Sequence, residues 1–137
     1  MIVMDANAAM AIASGSADGE VISRLMQKDE CVLAPSLLCE EMTHTLTRYI
    51  NGNYFSAEEA LACGLDALSL VDEFIDDGDL WIEVMNESVR LNHSSYDMFY
   101  FVLARRRGAT LFTLDKKLQA LCMKNGVNCI YTTKLED

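Results

Sequence analysis

A chain of 137 residues that is 51% apolar is long enough to bury a sizeable core and too apolar to stay disordered. Its formal net charge of −10 excludes a protein that grips nucleic acid through a broad basic face. No run approaches the ~20 apolar residues of a membrane span. The opening MIVMDANA has no basic segment and meets an acid too early for a signal peptide. The expectation is one cytoplasmic domain over residues 1–137. Cys31, Cys39, Cys63, Cys122 and Cys129 are an odd number with no C-x-x-C pair, so they read as reduced thiols. With two histidines besides, a zinc site is not expected. Any phosphate substrate must then be met locally, by metal ions or a few arginines.

In chain order, Ile2-Val3-Met4 reads as a strand followed at once by Asp5, and Ala6 to Ala13 as a short helix ended by Ser14-Gly15-Ser16. Asp18 is placed to cap a helix over Glu20 to Lys28. Cys31 to Ala34 reads as the second strand, closed by Pro35, with Ser36 capping a long helix from Leu37 to Ile50. Leu38, Met42, Leu46 and Tyr49 share one stripe of that helix. Glu41 falls on the stripe's flank with His44 a turn beyond, whereas Glu40 points away. Ser56-Ala-Glu-Glu59 is a capping box that opens a helix reaching about Ile75. Asp76 to Asp79 reads as a turn, Leu80-Trp81-Ile82 as a third strand and Glu83 to Leu91 as a helical piece. From Ser95 the residues Met98 to Ala104 are apolar almost all the way round, which predicts a covered central helix ending at Arg105-Arg106-Arg107-Gly108. Ala109 to Leu114 reads as a buried parallel strand, Lys116 to Lys124 as a helix stopped by Gly126, and Asn128 to Tyr131 as a last strand. Strands alternating with helices predict an α/β fold whose parallel sheet is covered on both faces.

Asp5 and Asp115 directly follow strands, Asp97 opens a helix, and Glu41 lies one turn inside another. In open α/β sheets ligands bind at this carboxyl edge. Acids brought together there raise one another's pKa unless a cation neutralises them, and oxygen donors with little histidine suit Mg²⁺ or Mn²⁺. Such a centre hydrolyses phosphodiesters. Each acid also has a simpler reading: Asp5 and Asp115 as N-caps, and Asp97 as part of a Ser94-x-x-Asp97 capping box. Glu41, interior to its helix, escapes that reading, because an inward carboxylate without a partner is costly.

Three stretches resemble the PIN domains, and particularly the small VapC-type toxin ribonucleases, over essentially the full chain. IVMDANA is similar to the family's strand-Asp-x-Asn opening, and PSLLCEEMTHTL to its Pro-led segment, whose acid six positions on is Glu41. SSYDMFYFVLARRRGATLFTLDKKL is similar to its Asp, aromatic helix and Thr-x-Asp block. The resemblance implies a three-layer α/β/α sandwich around a mainly parallel sheet, and Mg²⁺- or Mn²⁺-dependent cleavage of RNA. It implies metal-binding acids at Asp5, Glu41, Asp97 and Asp115, with Thr113 supporting the metal or its water and Asn7 just behind them. RNA as substrate, a small antitoxin and a second copy of the chain are the implied partners. His44 departs from the family, which often has Asn there. The acidic balance leaves the RNA path to Arg105 to Arg107, or to Lys116 and Lys117, at the cleft rim of a dimer. A catalytically silent PIN-type protein-binding module is the alternative: the missing basic surface favours it and the four acids count against it. A phosphatase using Asp5 as nucleophile fits poorly, because it would want a second acid where Asn7 stands.

Overall fold

Residues 1–132 are described by a computed structural model. Ile2–Met4 (β1), Val32–Pro35 (β2), Glu73–Ile75 (β3) and Thr110–Phe112 (β4) form a sheet in the order β3-β2-β1-β4, with every neighbouring pair parallel. β1 and β2 are buried throughout, as parallel strands covered on both faces must be. Around them lie helices Ala6–Ser14 (α1), Ala17–Ser23 (α2), Leu37–Asn51 (α3), Ala57–Ser69 (α4), Trp81–Leu91 (α5), Ser95–Arg107 (α6) and Lys116–Asn125 (α7).

From β1 through β2 to β3 the chain advances one way across the sheet; β4 then returns to the far side of β1. Right-handed crossovers place the helices of these two passages on opposite faces. α1, α2, α3 and α4 accordingly pack on one another, while α6 lies across β1, β2 and β4 with α5 beside it. This is the predicted three-layer sandwich. The reversal falls between β1 and β4, the place where open sheets make their ligand crevice. Met98 and Tyr100 to Ala104 of α6 are all buried, matching the helix read as apolar on every side.

Several elements differ from the sequence reading. Ser16, not Asp18, caps α2, accepting the Gly19 N–H at 3.0 Å, and that helix stops at Ser23. The helix opened by the Ser56–Glu59 capping box ends at Ser69, and Glu73–Ile75, expected inside it, is edge strand β3. Leu80-Trp81-Ile82 is not a strand: Leu80 is the N-cap of α5, and Leu80 and Val84 bury one turn apart while Trp81 and Ile82 stay exposed. Asn128 to Tyr131 meets β4 through one bridge, Cys129 to Leu111, rather than as a full strand. Ser36 does not cap α3 with its side chain; Asp77 accepts the Leu37 N–H at 3.1 Å, and Ser36 Oγ accepts the Asp77 N–H at 3.1 Å in return.

α1 and α2 approach so closely that a Cβ on Gly19 would stand 1.9 Å from the Ala11 carbonyl oxygen. Gly19→Ala should therefore force the two helices apart at a cost of about 1–3 kcal/mol. Thermal melting checks this, and an unchanged midpoint would show that the contact yields freely.

Candidate active site

The end of β1 delivers Asp5 beside the end of β4, its backbone N–H donating to the Phe112 carbonyl at 3.1 Å. Asp5 caps α1, Oδ1 accepting the Ala8 N–H at 2.8 Å, and only 5% of the residue is exposed. Burial, above all, pushes its carboxyl up to about 7. Hydrogen bonds from Thr113 and Ala8 hold it down in part, and the charges of Asp97 and Glu41 push it further up.

Asp97 sits in the first turn of α6, where Ser94 makes no side-chain cap. The capping-box reading of Asp97 is thus not realised. Its Oδ2 instead meets His93 Nε2 at 2.8 Å. Its carboxyl is raised, mainly by burial; the hydrogen bond from His93 lowers it and the charge of Asp115 raises it. Glu41 leaves α3 on the side facing α6, and Tyr100 Oη donates to its Oε1 at 2.6 Å. Glu41 too is raised, first by burial and then by the charges of Asp97 and Asp77, against the lowering by Tyr100.

Asp5, Glu41 and Asp97 line one cavity of about 410 Å³, together with Asn7, His44 and Tyr100. Asp115 lines an adjoining cavity of about 350 Å³ that shares Asn7 and Thr45 with the first. The structure thus gathers three of the four predicted acids, with the fourth next door. Asp115 caps α7, Oδ1 accepting the N–H groups of Lys117 and Leu118 at 2.9 and 3.2 Å. Thr113 is wholly buried and stands behind the acids, its Oγ1 accepting the Asp115 N–H at 3.1 Å. Gln119, unnoticed in the sequence, fixes that strand end by donating to the Thr113 carbonyl at 2.8 Å. Glu40 is exposed as expected, yet it still lines the outer rim of the acid cavity.

Two of the arginines expected at the cleft rim of a dimer lie away from the acids in the single chain. Arg105 and Arg106 stand at the last turn of α6, roughly 13 Å along the axis from Asp97. Both are bound to Glu83, and Arg105 also to Glu87. Lys116 Nζ donates to Thr132 Oγ1 at 2.8 Å, whereas Lys117 is exposed at the N-terminus of α7 beside Asp115.

The family profile of the PIN domain matches residues 2–124. The chain belongs to the PIN domain family. Ribonuclease VapC1 of Mycobacterium tuberculosis is 33% identical to this PIN domain protein over 119 residues, 86% of this chain and 88% of the relative. Among solved structures, PAE2754 from Pyrobaculum aerophilum aligns with a TM-score of 0.69 at 23% identity, over 87% of this chain and 77% of that one. VapC20 of Mycobacterium tuberculosis, a sarcin-ricin loop cleaving toxin, aligns at 0.65 and 20% identity over 88% and 95%. VapBC2 from Rickettsia felis, bound to a DNA fragment from its promoter, aligns at 0.63 and 18% identity over 97% and 100%. These structures share the PIN fold.

Among the described residues no lysine or arginine lines the acid cavity, and Asp97 is met by the His93 imidazole. The donors lining the cavity are carboxylate oxygens with one imidazole, His44, which suits a hard divalent ion such as Mg²⁺ or Mn²⁺. Among the described residues no three of these groups close on a common point. Tyr100→Phe removes the hydrogen bond to Glu41 and should cost about 1–3 kcal/mol at neutral pH. The loss should shrink in acid as Glu41 becomes protonated, which a denaturant titration at two pH values measures.

Proposed function

We propose that this PIN domain, one domain over residues 1–137, is a metal-dependent endoribonuclease and the toxin of a toxin–antitoxin pair. The observation that carries this reading is the cavity itself: three carboxyls with raised pKa line it together, and among the described residues no lysine or arginine lines it with them. The names of its relatives support it, since one is a ribonuclease and another a toxin that cleaves the sarcin-ricin loop.

Asp5, Glu41 and Asp97 would hold Mg²⁺ or Mn²⁺, with Asp115 contributing from the adjoining cavity. The bound ion supplies charge neutralisation and an acidified water for phosphodiester hydrolysis. The chain's own groups orient the ligands. Tyr100 Oη holds one oxygen of Glu41, and the Ala8 N–H holds Oδ1 of Asp5. Because Asp5 keeps its proton up to about pH 7, ion binding must expel that proton and should weaken as pH falls.

In this reading the partners are RNA, a small antitoxin and a second copy of the chain, in the cytoplasm. None of the helices described is long and apolar enough to cross a membrane. α5 exposes Trp81, Ile82, Met85 and Val89 as an apolar stripe, which a second copy would cover. Light scattering at tens of micromolar (roughly the scale of weak association) should show a dimer, and a strict monomer would remove that partner. The activity is tested by incubating the purified chain with a mixed RNA pool in Mn²⁺, Mg²⁺ or EDTA. Cleavage with either ion and none in EDTA is expected. Intact RNA in all three would leave the silent protein-binding module as the better reading.

A further inference from the structure

Asp97 is the acid whose orientation is set by another side chain across a turn rather than by a backbone cap. The segment between α5 and α6 is tightly built. Asn92 takes the left-handed conformation (φ 49°) that ends α5. The His93 N–H then donates to the Ser88 carbonyl at 3.1 Å, and the Ser88 hydroxyl donates to the His93 carbonyl at 2.5 Å. Ser88 thus clamps His93 from both sides of its backbone. The imidazole, with 16% of its side chain exposed, meets Asp97 Oδ2 at 2.8 Å. Oδ1 of Asp97 has no hydrogen-bond partner among the described residues, and Asp97 lines the acid cavity.

From this geometry we infer that His93 is a positioning residue: it fixes the Asp97 carboxylate so that its second oxygen is presented to a divalent ion in the acid cavity. The inference rests on the metal-dependent reading of that cavity. It requires only an N–H on Nε2, which either the neutral tautomer or the imidazolium supplies. A carboxylate held by one oxygen loses little freedom when the other takes an ion, and ligand orientation by such outer partners is a general feature of metal sites. The bland alternative is a hydrogen bond between neighbours four positions apart that merely steadies the start of α6.

Two substitutions separate these. His93→Leu keeps apolar bulk and removes the donor, and His93→Gln keeps a donor at similar reach. The readouts are melting temperature against Mn²⁺ concentration, melting temperature in EDTA, and RNA cleavage against Mn²⁺ concentration. His93→Leu should need roughly 10–100-fold more Mn²⁺ for half of both the stabilisation and the cleavage. His93→Gln should recover most of that shift. Equal Mn²⁺ dependence in wild type and His93→Leu overturns the inference, as does a fall in EDTA melting with no change in Mn²⁺ dependence. Ser88→Ala, which frees the turn without touching the imidazole, decides the matter if His93→Leu does not fold. It should shift Mn²⁺ dependence in the same direction, and an unshifted curve overturns the inference. If the wild type binds Mn²⁺ but leaves RNA intact, the ribonuclease reading fails while the melting curves still judge His93.

Discussion

Asp5→Asn should abolish metal-dependent RNA cleavage and make the ion-free protein more stable. The carboxyl is almost wholly buried and lifted from 3.8 to about 7. A tenfold change in proton affinity is worth about 1.4 kcal/mol, so the ionised form costs the fold at most about 4 kcal/mol. The sign follows from linkage. A carboxyl raised in the folded state binds protons more tightly there than in the unfolded chain. Its favourable contribution is complete below the unfolded value of 3.8 and is lost as pH rises to about 7. Asparagine carries no such charge, can still accept the Ala8 N–H as a cap, and can donate to the Thr113 hydroxyl, which has a spare lone pair. Allowing about 1–3 kcal/mol for an imperfectly paired buried amide, the variant should melt several degrees higher in EDTA above neutral pH. The difference should close in acid. Saturating Mn²⁺ should stabilise the wild type more than the variant, because only an ion that binds the folded state adds to it. Unchanged cleavage with coincident melting curves in EDTA and in Mn²⁺ would return Asp5 to a purely capping role.

The site was legible where its residues follow local signals and illegible where they meet through space. Asp5 and Asp115 stand directly after apolar runs, and both do cap helices; capping and facing a cavity are compatible, so the two readings never competed. Glu41 emerged from helical spacing alone, which separated it from Glu40. Its partner Tyr100 lies 59 positions away inside an apolar helix, where a tyrosine reads as core. His93 is four positions from Asp97, close enough to notice, but the turn that aims it is set by Ser88 in a different helix. Arg105 to Arg107 suit a helix C-terminus as read, and Glu83 and Glu87 reach Arg105 and Arg106 from α5, partners that local spacing does not reveal. Strand β3 was lost for a different reason. Glu73 and Phe74 are exposed at the sheet's edge, so the burial that writes an apolar run into β1 and β2 is absent there. The order of the strands was not written in any local pattern, but once β1 is central the meeting of Asp5 with the end of β4 follows from register, Met4 opposite Phe112.

Asp97→Asn should reduce RNA cleavage by more than the roughly 10–100-fold that loss of an outer partner costs, with no loss of ion-free stability. Since Ser94 rather than Asp97 is the N-cap, and it makes no side-chain bond, no capping hydrogen bond is removed. The asparagine oxygen can still accept from His93 Nε2, as Asp97 Oδ2 does at 2.8 Å. What disappears is a negative charge held among Asp5, Glu41 and Asp115, each of which pushes on it or is pushed by it. Relief of that repulsion should leave the melting temperature in EDTA unchanged or higher. The Mn²⁺-induced rise should shrink, because the variant offers one fewer anionic oxygen to the ion. Glu40→Gln is the matched control: it removes a charge from the exposed rim of the same cavity and should leave the Mn²⁺-induced shift intact. If Asp97→Asn and Glu40→Gln behave alike, net charge in the cavity matters and the placement of Asp97 does not. If only Asp97→Asn loses both cleavage and the Mn²⁺-induced shift, the carboxylate acts as a ligand at that position.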